Sequence, residues 1–190
     1  MQLVTPSEEH LDGYLSALRT PWSPDNQRPA AADDEIARVL ADPELFLAQC
    51  DDPDPSGRTV TLPDGTVVPR LPGISRWMWD GEFCGSIGLR WQPGTPALPP
   101  YCLGHIGYGV VPWKQRRGYA TEALRQMLPL AAAVGLPYAE ITTEPDNIGS
   151  QRVIENCGGV LVERFALPPT SGEGVGLRYR VALRATVTEH

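Results

Sequence analysis

The sequence has no run of about 18 consecutive apolar residues, the minimum that would span a bilayer as a helix. Met1 to Glu9 also lacks the basic and then apolar segments of a secretory signal, so a cytoplasmic protein with no membrane partner is expected. Basic residues are scarce. The 16 Lys and Arg against 23 Asp and Glu leave a net charge of −7, which argues against nucleic acid as a partner, because phosphates require a basic face. Such acidity attracts cations at long range, although solubility is its ordinary use. Cys50, Cys84, Cys102 and Cys157 form no C-x-x-C pair, which removes zinc knots and dithiol redox motifs and leaves free buried thiols. Two phosphate loops are missing as well. There is no G-x-x-x-x-G-K-[ST], and Gly104, Gly107 and Gly109 are not spaced as G-x-G-x-x-G, so nucleotide hydrolysis and dinucleotide binding lose support.

What is present is ordinary in bulk: 190 residues, 42% hydrophobic and 21% charged, enough for one globular domain over 1–190. Thr5-Pro6-Ser7-Glu8 has capping-box spacing, and Leu11, Tyr14, Leu15 and Leu18 follow at helical intervals, so a first helix is predicted over Pro6 to Arg19. Further helices are read at Asp33 to Leu40 and Pro43 to Cys50, broken at Asp42-Pro43, and these helices serve as a lid or flank. An acidic, Pro-rich loop at Asp51 to Gly57 ends this helical part, residues 1–58. Two hairpins follow, one around Pro63-Asp64-Gly65 and one around Asp80-Gly81, the latter joining Ser75–Trp79 to Glu82–Trp91.

From there the pattern alternates. Strand Leu103–Val111, helix Gly118–Val134, strand Tyr138–Thr143, short helix Ile148–Asn156, strand Val160–Phe165 and strand Leu177–Leu183 complete a core over 75–165 and a C-terminal hairpin over 166–190. The sum is an α+β (mixed α/β) fold, a mixed, mostly antiparallel sheet of about six or seven strands with helices on both faces.

The chemistry sits in the middle. Strand Leu103–Val111 runs through Pro112-Trp113-Lys114 into Gln115-Arg116-Arg117-Gly118-Tyr119-Ala120-Thr121 and directly into a helix. The first turn of that helix carries unpaired N–H groups and the positive end of its dipole, and Gly118 lets a phosphate approach the backbone. Lys114, Arg116 and Arg117 add positive charge, which makes this an anion site.

The pattern Gln115-x-x-Gly118-x-Ala120 after a strand resembles motif A of the GNAT superfamily of acyl-CoA transferases, whose loop amides hold the pyrophosphate of coenzyme A. The stretch Asn147-Ile148-Gly149-Ser150-Gln151-Arg152-Val153-Ile154-Glu155-Asn156-Cys157-Gly158-Gly159 looks like the superfamily's motif B. The resemblance covers about Trp77 to Phe165, while the early helices belong to the family's variable part. It implies acetyl-CoA as acyl donor, no metal, and a central splay in the sheet. It also implies that Val110 and Val111 offer backbone groups to the pantetheine arm. Asn147 is implied to hydrogen-bond near that arm, with Ser150 or Arg152 close to the cofactor. Gln115 to Thr121 would hold the pyrophosphate.

An alkyl amine with a pKa near ~10.4 is neutral in only about one molecule in 2,500 at pH 7, so a base is needed. His105 leads because its ordinary pKa is near neutrality. Glu140 and Glu144 on the neighbouring strand are second choices, and Glu82 is weaker still. The oxyanion requires an aimed donor, for which a backbone N–H of Val110 or Val111 is the natural supplier. The family's usual acid is a Tyr in motif B at the position that Ile154 occupies here; Tyr108 on the central strand or a water molecule is the candidate replacement, and packing is the other role open to Tyr108. Strand alternation puts His105, Gly107 and Gly109 on one face and Ile106, Tyr108 and Val110 on the other. Trp22, Trp77, Trp79, Trp91 and Trp113 are candidate pocket walls or core.

The expected activity is transfer of acetyl from acetyl-CoA directly to a primary amine of a small molecule. Two alternatives stand: a non-catalytic acyl-CoA-binding sensor, given Ile154, and an acetyltransferase acting on a protein N-terminus or lysine. A homodimer is compatible with the sequence, which does not set oligomeric state.

Overall fold

The computed structural model describes residues 1–20, 22–25, 30–62, 64–168 and 174–183. Ten strands and five α-helices occur among them. The N-terminal part holds β1 (Gln2–Val4), α1 (Glu8–Leu18), α2 (Ala31–Ala41), α3 (Pro43–Ala48) and β2 (Asp51–Asp52). Next come a small hairpin, β3 (Thr59–Thr61) and β4 (Val67–Pro69), and the longer pair β5 (Gly73–Trp79) and β6 (Phe83–Arg90). The remainder is β7 (Ile106–Val110), a 3-10 turn at Pro112–Lys114, α4 (Tyr119–Ala133), β8 (Tyr138–Thr143), α5 (Ile148–Glu155), β9 (Val160–Ala166) and β10 (Val175–Ala182). The predicted helical and strand segments are present. The predicted first cap is displaced: Ser7, not Thr5, is the N-cap of α1, and its hydroxyl bonds His10 Nδ1 at 2.7 Å. Asp42 separates α2 from α3 as expected and caps α3 by accepting the Leu45 N–H.

The predicted sheet of about six or seven strands is divided. β1, β5, β6 and β7 form one antiparallel sheet, with β2 also paired to β5, while β8, β10 and β9 form a second. Short edge strands and the β3–β4 hairpin account for the larger count. Strand alternation gives the first sheet two apolar faces. Met78, Ile87, Leu89 and Ile106 pack with Ala123, Leu124, Met127 and Ala131 of α4, while Trp77 and Phe83 pack with Leu11, Tyr14, Leu15 and Leu18 of α1. Helices therefore cover both faces, as expected.

The register of β5 on β6 shifts beyond Met78, where two residues of β6 stand against one of β5. Gly85 sits at this irregularity with φ +150, and a Cβ there would lie 2.2 Å from the Gly109 carbonyl oxygen. Only glycine allows β6 to close on β7 at that point. No helix among the described residues is long and apolar enough to cross a membrane.

Candidate active site

β7 and β8 touch at one end only. The His105 N–H donates to the Glu140 carbonyl at 2.7 Å, and the Glu140 N–H donates to His105 Nδ1 at 3.0 Å. Gly104 keeps this end tight, since a Cβ would stand 3.1 Å from the Glu140 oxygen. Beyond it the strands share no ladder and belong to different sheets. The opening continues into a cleft of about 1260 Å³.

Hydrogen-bond alternation decides which groups of β7 face that opening. Arg90 N–H donates to His105 O, and Val111 N–H donates to Cys84 O. In an antiparallel ladder alternate residues pair with one neighbour, so residues 105, 107, 109 and 111 bond to β6 and residues 106, 108 and 110 turn their N–H and C=O groups to the splay. Val111 is thus excluded as the donor, being fully buried with its N–H used. Val110 has the free geometry, and its carbonyl accepts Gln115 Nε2 at 3.3 Å.

The loop after β7 is shaped for an anion. Arg116 has φ 63, the one positive value outside glycine among the described residues, and Gly118, the N-cap of α4, has φ 76. Left-handed residues at alternate positions turn successive N–H groups to the same side, forming a nest at the positive end of a 15-residue helix. A Cβ on Gly118 would meet no protein atom within 4 Å, so its side of the loop is open. Tyr119, Ala120 and Thr121 line the cleft with Gln115, Arg116 and Gly118. Arg117 does not: its Nη2 reaches the Trp113 carbonyl at 3.5 Å.

Lys114 is not a free cation. It is buried, with Nζ 3.0 Å from both carboxylate oxygens of Asp80 and a further pair to Glu82. Asp80 also accepts the Tyr119 hydroxyl at 2.6 Å. That hydrogen bond, with the Lys114 contacts, holds the Asp80 carboxyl well below the usual carboxylate range, and Glu82 and Asp80 push Lys114 up. The β5–β6 turn is thereby tied to both sides of the anion loop, a role that no local sequence signal marks.

The predicted proton-transfer residues separate. His105 is fully buried, its Nδ1 is occupied, its Nε2 has no partner at hydrogen-bond geometry among the described residues, and burial lowers its pKa. It staples the closed end of the splay and is not brought to the cleft. Glu140 is not brought there either: it is buried between Arg178 (3.1 Å) and Arg180 (2.7 Å), both from the adjacent β10. Glu144, exposed at the end of β8, does line the cleft. So does Tyr108, whose hydroxyl is 2.9 Å from Ser150 Oγ and whose pKa is pushed up to about 12 by burial, against the effect of that hydrogen bond.

On α5, Asn147 caps the helix by accepting the Ser150 N–H at 3.0 Å. Asn147, Gly149, Ser150 and Val153 border the cleft. Arg152 is exposed and lies outside the lining, and Ile154 is fully buried in the core. Of the tryptophans, Trp77 lines the cleft, Trp22 and Trp91 are core, and Trp113 is exposed.

The other half of the cleft is assembled from distant segments that the sequence reading left unassigned. Tyr14, Glu35 and Arg38 form a network in which Glu35 accepts the Tyr14 hydroxyl at 2.9 Å and pairs with Arg38. Arg70 of the β3–β4 hairpin region pairs with buried Asp52 at 3.3 Å, and Asp52 also pairs with Arg58. Arg90, at the end of β6, enters the same half.

The fold has solved counterparts. The chain is similar to RimL, a ribosomal L7/L12 alpha-N-protein acetyltransferase solved with coenzyme A: 14% identity over 96% of this chain and 94% of that one, TM-score 0.65. It is similar to the Salmonella typhimurium acetyltransferase that modifies the N-terminal serine of ribosomal protein L7/L12, at 14% identity, 96% and 94% coverage and TM-score 0.63. It also resembles the microcin C7 self-immunity acetyltransferase MccE, solved with acetyl-CoA and AMP, at 12% identity, 95% and 91% coverage and TM-score 0.59. At such identities the likeness is one of fold. No protein of curated function matches the sequence significantly. The model of the acetyltransferase (GNAT) domain matches residues 2–160. That match over most of the chain, on a fold with a nest of main-chain N–H groups at the mouth of a splayed sheet, means that the chain belongs to the GNAT family of acetyltransferases.

Proposed function

We propose that this acyltransferase passes an acetyl group from acetyl-CoA directly to the primary amine of a small-molecule acceptor. The observation that carries the reading is one continuous cleft, which joins the nest at Arg116–Gly118 to a polar half walled by α1, α2 and the β3–β4 region. The thioester supplies the activated acyl group. The residues present fit the donor: open space over Gly118, an N–H on Val110 facing the splay, and cleft-facing Thr142 and Thr143 on β8.

Val110 N–H is the donor for charge developing on the acetyl oxygen. Glu144 is the base that takes the ammonium proton, because it is the predicted carboxylate that borders the cleft without an ion-pair partner among the described residues. Tyr108, paired with Ser150, protonates the departing thiolate. Its place on the cleft beside Ser150 carries this role; burial, which pushes the phenol up to about 12, keeps it protonated through neutral pH and makes it a weak acid for the step. Direct transfer is supported by the thiols: burial raises Cys50, Cys84, Cys102 and Cys157 alike, which leaves none activated as a nucleophile.

The test is thiol release from acetyl-CoA over a library of primary amines, with short peptides bearing free N-termini as a parallel set. Turnover of small amines above the peptides is expected, and the reverse ranking would move the acceptor to the protein class. Glu144→Gln should lower kcat by about 100-fold with the KM for acetyl-CoA little changed. An unaltered kcat would remove Glu144 as base.

A further inference from the structure

The acceptor half of the cleft has a flat floor. Sheet register sets Ser75, Gly88 and Gly107 in one row and Trp77, Ser86 and Gly109 in the next, all on the cleft side. In the row beyond stands Arg90, whose backbone N–H is held by the His105 carbonyl. Its guanidinium folds back over the floor: Nη2 lies 3.2 Å from where a Cβ on Gly107 would be. The absence of a side chain at 107 is what gives the guanidinium that place.

Arg90 differs from the other cations of this half. Arg38 is neutralised by Glu35 and Arg70 by Asp52. Arg90 has the Cys102 thiol beside it and no carboxylate partner among the described residues. An exposed arginine inside the cleft of a protein with net charge −7, with no acid partner among the described residues, is suited to an external anion.

Resting on the acetyl-transfer reading above, we propose that Arg90 binds an anionic group of the acceptor, a carboxylate or a phosphate, and so selects amines that carry one. The span follows from the strand. Gly107 to Val110 is three residues at about 3.3 Å each, so the anion and the acetylated nitrogen stand roughly 6–10 Å apart. That is too long for an α-amino acid and suits an amine separated from its acid by a chain of several atoms.

The experiment uses straight-chain amino acids from glycine to 6-aminohexanoate, their amides, and 3-aminopropyl phosphate. It is read twice: thiol release with acetyl-CoA, and calorimetric binding to the enzyme–CoA complex. In the wild type the longer amino acids should exceed their amides and glycine by about tenfold or more in kcat/KM and in affinity. Arg90→Gln should erase that margin, Arg90→Lys should restore part of it, and the KM for acetyl-CoA should stay the same in both. Gly107→Ala, which crowds Nη2, should narrow the margin a few-fold. Whichever of carboxylate and phosphate shows the larger Arg90-dependent gain identifies the anion. Equal use of acids and amides by the wild type, or a margin that survives Arg90→Gln, would overturn the proposal. If no amine releases thiol while binding shows the Arg90-dependent margin, the anion site stands and the small-amine activity fails.

Discussion

The two halves of the cleft use opposite electrostatic devices. The half proposed for the cofactor offers backbone: a nest at Arg116 and Gly118 and the dipole of α4, with Lys114 neutralised by Asp80 and Glu82. The half proposed for the acceptor offers side-chain charges, Glu35 with Arg38, Asp52 with Arg70, and Arg90 without an acid partner among the described residues. Outside the left-handed Gly118, backbone donors survive most side-chain substitutions, which suits a donor common to a family. Side-chain charges can be exchanged one at a time, which suits a variable acceptor.

The largest effect is expected where one residue supports both halves. Gly85→Ala places a Cβ against the Gly109 carbonyl, beneath the acceptor floor and next to Val110. A loss of about 3 kcal/mol or more is expected in urea unfolding, with both substrates' KM values affected in whatever folds. A loss below about 1 kcal/mol would mean that β6 and β7 can part at this point.

Gly118→Val should separate the halves. The left-handed backbone disfavours a β-branched residue by about 1–2 kcal/mol, and the new side chain projects into the open side of the loop. The KM for acetyl-CoA should rise about tenfold or more, while acceptor binding to the preformed CoA complex changes little. Parallel loss of both would erase the distinction.

Asp80→Asn tests the tie between the β5–β6 turn and the loop. Lys114 would keep Glu82 but lose Asp80, at a cost of about 1–2 kcal/mol. The sign with pH is set by the Asp80 carboxyl, which is lower in the fold than its ordinary value of about 3.9. Its contribution is therefore present in full above about pH 5 and lost as pH falls through the acid range, because protonation then opposes folding. Thermal unfolding from pH 7 down to pH 3 should show the wild type and Asp80→Asn converging; curves that stay parallel would remove Asp80 as a titrating support.

The smallest effect is expected from Cys157→Ala. This thiol is half-buried against the Thr121 carbonyl at 3.5 Å and is raised by burial. Turnover should remain within about twofold of wild type, and a collapse of kcat would demand a covalent step.

Legibility followed the range of the interactions. The anion loop was readable because strand, loop and helix are consecutive in the chain, and glycine at a left-handed N-cap leaves a residue-level mark. Asn147 was placed by the resemblance alone, and its capping of α5 comes from the structure. His105 was misleading. Its residue type suits a base, but its nitrogen is engaged by Glu140, 35 positions away. Glu140 and Glu144 are indistinguishable in sequence. They separate only because β10 sets two arginines against the first, leaving the second at the strand end. Glu82 was read as a weak base and found instead on Lys114. The predicted strands Val160–Phe165 and Leu177–Leu183 are present as β9 and β10 and pair with each other, so β9 of this pair lies in the segment read as core and not in the predicted hairpin over 166–190, of which 169–173 and 184–190 lie outside the described residues.

By itself, then, the sequence determined the α+β element order, the loop that enters α4 and the family, because caps, turns and dipoles are written in neighbouring residues. Tertiary structure alone decided that Val110 and not Val111 offers its N–H to the splay, since the register of β6 on β7 consumes the other. It also decided that Arg90 stands in the cleft with no carboxylate partner among the described residues. That depends on which distant carboxylates come within reach, and no local pattern records it.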